Sequence, residues 1–175
     1  PFRKILLTFF PPSGYEVRKD YPLVDKVLYL PFATRRNAKK WLEILAPEIA
    51  IMVKYEFWPA YLNALKRNHI PTYLISAIFR PNQLFFLPWG IGYRQLLHCF
   101  KHIYVQDQAS LDLLHRYGIE SVSVAGDTRF DRVAQVKRVA KDLPIVARFV
   151  ANAQHVIVAG STWPKEEQML ARYLQ

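Results

Sequence analysis

Ile49-Ala50-Ile51-Met52-Val53-Lys54-Tyr55-Glu56-Phe57-Trp58-Pro59 joins a short apolar run to a carboxylate, a tryptophan and a proline. Its first five residues are β-rich and apolar on both faces, the pattern of a buried parallel strand. The residues after them read as the hand-over from sheet to helix. Ligands of open α/β sheets bind in the crevice outside the carboxyl ends of such strands. Glu56 therefore has two readings: a crevice carboxylate, or a helix-start carboxylate that only complements the macrodipole.

The same alternation runs outward in both directions. Strands are expected over 5–10, 27–30, 72–75, 103–105 and 122–124. Helices are expected from Pro12, from an N-cap at Thr34 as far as Pro47, and over 58–68, 93–100, 110–117 and 129–142. Gly118 follows one of them as a good C′ residue. After Pro144 the pattern restarts with a short helix, a strand over 156–159, and a helix with Pro164 at its first position and Glu166 and Glu167 in its first turn. Regular β-α alternation predicts a Rossmann-like, doubly wound parallel sheet over residues 1–143. Residues 144–175 are expected to supply the first β-α unit of a second Rossmann-like domain. The chain starts on a strand and stops inside a helix, so both ends read as cut.

Composition narrows the class. With 175 residues, 51% hydrophobic and 14% aromatic, the chain can bury a full core and is not disordered. No apolar run approaches the roughly 18 to 20 residues of a spanning helix, so membrane contact by this part of the protein is expected from the side. A single cysteine, Cys99, excludes an internal disulfide and a cysteine-rich metal site, and its apolar neighbours mark it as a buried structural thiol. The five histidines lack metal-ligand spacing, and no G-x-S-x-G elbow is present. The net charge of +10 implies an anionic partner: nucleic acid, an acidic membrane face or a phosphorylated substrate. No recognised nucleic-acid module or stacking platform accompanies it.

Four loops leave predicted strand ends and open helices: Pro12-Ser13-Gly14, Lys54-Tyr55-Glu56, Gly126-Asp127-Thr128-Arg129 and Gly160-Ser161-Thr162. Backbone N–H groups at such places seat phosphate or carboxylate, so four of them suggest an anionic or sugar-like ligand. None is a Walker loop or a dinucleotide fingerprint. A further stretch, 80–90, breaks the rhythm. Its cluster of Leu84, Phe85, Phe86, Leu87 and Trp89, flanked by Arg80 and Arg94, reads either as a wedge for an anionic membrane or as a loop folded onto its own core.

Taken together these segments resemble the bacterial Kdo transferases, the lipid A Kdo-transferase family. Residues 8–16 look like the family's T-x-T-P-x-G segment, and Tyr29-Leu30-Pro31-Phe32 looks like its Y-L-P-F/D turn. Residues 54–59 look like E-x-E-x-W-P, and residues 106–118 resemble the family's Q-x-x-x-D/S helix. Residues 125–131 look like T-G-N-x-K-F-D, and residues 160–167 resemble G-S-T-H-x-x-E-E. Departures from the pattern are Lys54 for the first glutamate, Ile78 for an arginine, Asp127 for asparagine, Arg129 for lysine and Trp163 for histidine. The Arg129 exchange keeps the cation and changes its geometry.

The resemblance implies a GT-B glycosyltransferase whose N-terminal domain receives a lipid A precursor and whose C-terminal domain holds CMP-Kdo. Transfer would invert the anomeric centre, with no cofactor implied and no metal ligand recognisable. The catalytic base would be a glutamate of a glycine-glutamate motif lying before Pro1, leaving a chain of these residues alone inactive. Under this resemblance Glu56 would position sugar hydroxyls, and Arg129 would face the donor's carboxylate or phosphate. Ser161 and Thr162 would hold the CMP-sugar, and Ser13 and Gly14 would line the acceptor side. Arg80 and Gly126 complete the substrate-binding set. Phe85, Phe86, Trp89 and Arg94 would dock an anionic membrane surface at the cytoplasmic face of the inner membrane, with the protein peripheral or anchored by a preceding segment. The competing readings are a GT-B enzyme for a UDP-sugar and a non-catalytic basic module that binds nucleic acid.

Overall fold

A computed structural model describes residues 4–140 and 142–174. The chain divides into two compact units, Pro1–Asp131 and Arg132–Gln175.

In the first unit the order is β1 (Leu6–Phe9), α1 (Pro12–Arg18), β2 (Lys26–Tyr29), α2 (Arg35–Leu45), β3 (Ala50–Val53), α3 (Pro59–Arg67), β4 (Thr72–Ala77), α4 (Ile91–Arg94), β5 (His102–Val105), α5 (Gln108–Arg116) and β6 (Val122–Val124). Every strand pairing is parallel, as the alternation predicts. The hydrogen-bonded ladders form two sheets, β1-β2 and β3-β4-β5-β6, where one continuous sheet was expected. The reason is local: β1 exchanges hydrogen bonds with β2 alone and β3 with β4 alone.

Period-2 and helical spacing together build the core. Leu74 of β4 and Ile103 and Val105 of β5 point inward, and Leu62 of α3 with Leu113 and Leu114 of α5 close over them. Burying each such side chain stabilises the fold by about 1.5–3 kcal/mol. Local chemistry sets the helix ends. The Thr34 hydroxyl accepts the Asn37 N–H at 3.1 Å to open α2, and the Asp107 carboxylate accepts the Ser110 N–H at 2.7 Å to open α5. The chain leaves α5 through Gly118 at φ +78°.

The aromatic stretch folds into the core. Two 3-10 turns, Leu84–Phe86 and Pro88–Gly90, set Phe85 and Phe86 among Phe57, Phe79 and Tyr117. Only 7% of Phe85 and 5% of Phe86 is exposed. Arg94 Nε donates to the Phe85 carbonyl at 2.8 Å, and its guanidinium lies 4.4 Å over the Tyr117 ring. Phe85, Phe86 and Arg94 are therefore structural, and the expected membrane role for them is corrected. Their apolar area is spent on the core, and the cation is tied to a backbone oxygen and a ring. Trp89 remains exposed, with Ile91 and Tyr93 near it in sequence and likewise exposed. Gly90 is required by close approach, since a Cβ there would lie 1.6 Å from the Leu84 carbonyl oxygen.

The helix expected over 93–100 is two pieces, α4 and a 3-10 turn at Leu97–Cys99, because Phe100 already turns to extended backbone on the way into β5. Cys99 is buried there, and burial pushes its thiol pKa up, as a structural thiol requires.

After β6 come α6 (Thr128–Arg138), α7 (Pro144–Val150) and α8 (Pro164–Tyr173). The helix expected over 129–142 ends at Arg138; Lys141 lies outside the described residues. The strand expected over 156–159 does not form, and the run pairs with none of the described strands. Without a ladder its backbone groups face water, and Val158 is 88% exposed.

A candidate active site at the carboxyl ends of the strands

The ladder between β4 and β5 shifts register between Leu74 and Ala77. Ser76 lies inside that irregularity with φ +56°, left-handed backbone that a residue with a Cβ adopts at a cost of about 1–2 kcal/mol. Bulges of this kind re-aim side chains and are over-represented next to active sites. Here the Ser76 hydroxyl, almost fully buried, lies 3.3 Å from the Thr128 hydroxyl at the start of α6. The Gln106 carboxamide, directly after β5, donates to the Ser76 carbonyl at 2.8 Å. It also reaches the Ser76 hydroxyl at 3.5 Å.

The neighbouring strand ends the same way. Lys54, the first residue after β3, has φ +58° and donates its N–H to the Ile75 carbonyl at 2.9 Å. Two adjacent strands thus carry left-handed, non-glycine residues at their carboxyl ends, one just inside β4 and one just after β3. Such strain persists only where the surroundings over-determine it, and it clusters at functional sites.

After β6, Gly126 supplies φ +77° for the turn. Asp127 then accepts the Arg129 backbone N–H at 2.9 Å and Arg129 Nε at 2.7 Å. Those hydrogen bonds hold the Asp127 carboxyl below the usual carboxylate range, with the charges of Arg129 and Lys54 adding to them. Asp127 in turn raises the Arg129 guanidinium. Lys54, Asp127 and Arg129 form a compact charged group with one net positive charge.

Glu56 lies two residues ahead of Trp58, which caps α3, so it stands outside the first turn, and the macrodipole reading loses its geometry. Its half-buried carboxylate accepts the Trp58 indole N–H. The Trp58 ring packs 4.8 Å from Phe10, and Phe10 meets Phe32 edge-on at 5.4 Å. Tyr61 of α3 donates its hydroxyl to the Pro31 carbonyl at 2.9 Å. The loops after β1, β2 and β3 therefore meet in one aromatic seam beside Glu56.

Of the residues singled out from sequence, Glu56 and Gly126 stand on loops at these strand ends, and Arg129 stands in the first turn of α6 just beyond β6. Ser13 is exposed in the first turn of α1, and Gly14 packs on Phe9, whose ring would lie 2.6 Å from a Cβ there. Arg80 is exposed; its backbone N–H bonds to the Gln83 carboxamide at 3.1 Å, and no described contact brings its side chain to the cluster. Ser161 and Thr162 belong to the second unit. There the Thr162 hydroxyl donates to the Glu167 carboxylate at 3.0 Å, and Glu166 accepts the Trp163 N–H at 2.7 Å. These bonds organise the start of α8.

Ser76, Gln106 and Thr128 escaped the sequence reading as individual site residues. A signal was present for two of them: Gln106 is the polar residue at which the run of β5 stops, and Ser76 is the polar residue that interrupts the apolar run 73–79.

A parallel α/β unit with its polar constellation at the strand carboxyl ends defines a Rossmann-like domain. Residues 1–132 match the family described as 3-Deoxy-D-manno-octulosonic-acid transferase (kdotransferase), and the chain belongs to that family as a carrier of its N-terminal domain. No curated protein matches the sequence. Among solved structures, the UDP-N-acetylglucosamine 2-epimerase of Rickettsia bellii is similar, with 15% identity and a TM-score of 0.57 over 83% of this chain. The UDP-GlcNAc 2-epimerase of Methanocaldococcus jannaschii is similar over 84% of this chain, with 18% identity and a TM-score of 0.54. The chain spans 43% of the length of each epimerase. At these identities the likeness is one of fold.

Proposed function

We propose that the complete protein transfers Kdo from CMP-Kdo to a lipid A precursor, and that the crevice at the carboxyl ends of β3 to β6 is its acceptor-side half. The observation that carries this reading is the convergence of Lys54, Ser76, Gln106 and the Asp127–Arg129 pair at four successive strand ends, in a domain of the Kdo-transferase family. In this reading Glu56, held by the Trp58 indole, accepts hydrogen bonds from sugar hydroxyls. Arg129, pre-oriented by Asp127, faces the carboxylate or phosphate of the donor. Charge-assisted, pre-organised donors suit a reaction in which negative charge moves onto a departing nucleotide.

The second unit begins the nucleotide-sugar domain, with Ser161 and Thr162 on the donor side. A glutamate outside these residues supplies the base. Attachment to an anionic membrane, at the cytoplasmic face, uses the basic surface together with Trp89. No helix among the described residues is long and apolar enough to cross a membrane.

Turnover by the full-length protein tests the donor assignment. Incubation with CMP-Kdo and a tetraacylated, bisphosphorylated lipid A precursor is expected to release CMP only when the acceptor is present. Acceptor-dependent turnover of a UDP-sugar, with CMP-Kdo left intact, would replace the donor and keep the fold.

A further inference from the structure

Phe32 is a large apolar side chain with 75% of its surface exposed, on a backbone that is tied down. It follows β2, so it stands at the carboxyl ends of the strands, where Glu56 also lies. Pro31 ahead of it has a fixed backbone angle, and the Tyr61 hydroxyl donates to the Pro31 carbonyl at 2.9 Å. The Phe32 carbonyl accepts two further hydrogen bonds, from the Thr34 N–H at 2.7 Å and from the Asn37 carboxamide at 3.0 Å. Its ring meets Phe10 edge-on, Phe10 packs on Trp58, and the Trp58 indole N–H donates to Glu56. One row of aromatic rings thus runs from a buttressed carboxylate to a ring left in water.

Elementary chemistry narrows what such a ring can take. Aromatic faces carry the negative part of a quadrupole. The C–H bonds on one face of a pyranose, polarised by the neighbouring oxygens, present positive hydrogens to such a face. The hydroxyls around the rim of the sugar suit Glu56, because a carboxylate only accepts hydrogen bonds. A nucleotide base also stacks on aromatic rings, but its phosphates would be opposed by the like charge of Glu56. An acyl chain gains from the ring and nothing from the carboxylate.

We propose that Phe32 is a specificity-determining residue, whose ring stacks on the apolar face of a pyranose while the hydroxyls of that sugar bond to Glu56. The proposal rests on the reading that places sugar beside Glu56, and adds the contact that selects the shape of the ring. Phe10 and Trp58 are positioning residues in this arrangement: Phe10 backs the Phe32 ring, and Trp58 orients the carboxylate.

Calorimetric titration of the full-length protein with the deacylated, bisphosphorylated lipid A precursor tests it, because that probe has sugar rings and no acyl chain. Phe32→Ala should weaken binding about 10-fold, and Phe32→Tyr, which keeps the ring, should stay within about 2-fold. Phe32→Leu, which keeps apolar bulk without a ring face, should fall with Phe32→Ala. Leu23→Ala, in the turn at the amino end of the same strand and 72% exposed, should leave binding unchanged. Melting temperatures should all match wild type, as for exposed substitutions generally. In turnover of the acylated precursor, Phe32→Ala should raise the acceptor KM and leave kcat and the donor KM unmoved. Full binding by Phe32→Ala, with Glu56→Ala impaired, would overturn the stacking contact and leave sugar beside Glu56. Full binding by both variants, or none by wild type, would overturn that reading as well. Wild-type binding by Phe32→Leu would show that bulk suffices and would remove the ring face from the account.

Discussion

Ile103 and Val105 of β5 sit between β4 and β6 with at most 1% of their surface exposed, whereas Val158, in an equally apolar run, is 88% exposed. Both runs are short, β-branched and bounded by polar residues. What separates them is what lies alongside. β5 has a parallel ladder on each side and leucines of α3 and α5 over its face. Residues 156–159 pair with no described strand. A strand is a property of its neighbours: the backbone groups need partners, and the side chains need a surface to be buried against.

The largest expected effects lie in the β3–β6 core. Leu74→Ala should cost about 2–5 kcal/mol in urea unfolding, the range for a buried leucine. In a chain of residues 1–175, Val158→Ala should stay within about 0.5 kcal/mol, as exposed substitutions do. Equal losses at the two positions would break the contrast. Next comes Ser110 of α5, fully buried, whose hydroxyl accepts the Phe79 N–H at 2.8 Å. Ser110→Ala leaves that donor unsatisfied and should cost about 1–3 kcal/mol. Ser110→Thr, which restores an acceptor, should recover part of the loss.

The smallest effect concerns the strand-end charges. The folded pKa of Asp127 is depressed, so its pairing contributes at neutral pH, above the unfolded pKa, and is lost as pH falls through the folded value. NMR titration of the Asp127 carboxyl should place its midpoint below that of an ordinary aspartate. In Arg129→Ala the midpoint should rise toward the ordinary value. No movement would show that Arg129 is not what holds the carboxylate.

Much of the fold was legible because its determinants are local. The Thr34 cap, Pro59 and Pro164 at helix starts and Gly118 after α5 each act within one turn, and the helices begin or end there. The placement of Glu56 and Gly126 after strand ends, and of Arg129 at the start of the helix that follows, was legible too, since each depends on its near neighbours in the chain. Failures came where distant residues decide. Phe85 and Phe86 read equally well as a membrane wedge until Phe57, Phe79 and Tyr117 are seen around them. Ser76 gains its meaning from Gln106 and Thr128, 30 and 52 positions away in the chain. The break between α4 and the turn at Leu97–Cys99 is likewise set by where β5 must begin, not by the helical spacing of Leu96, Leu97 and Phe100.

The central claim, that the strand-end crevice beside Glu56 is where sugar is bound, is tested most directly by acceptor-dependent CMP release in full-length Glu56→Ala. A folded variant, with unchanged circular dichroism and melting temperature, should lose at least 100-fold in rate, and Arg116→Ala at the exposed end of α5 should lose nothing. Wild-type turnover by folded Glu56→Ala would contradict the claim and move the site away from these strand ends.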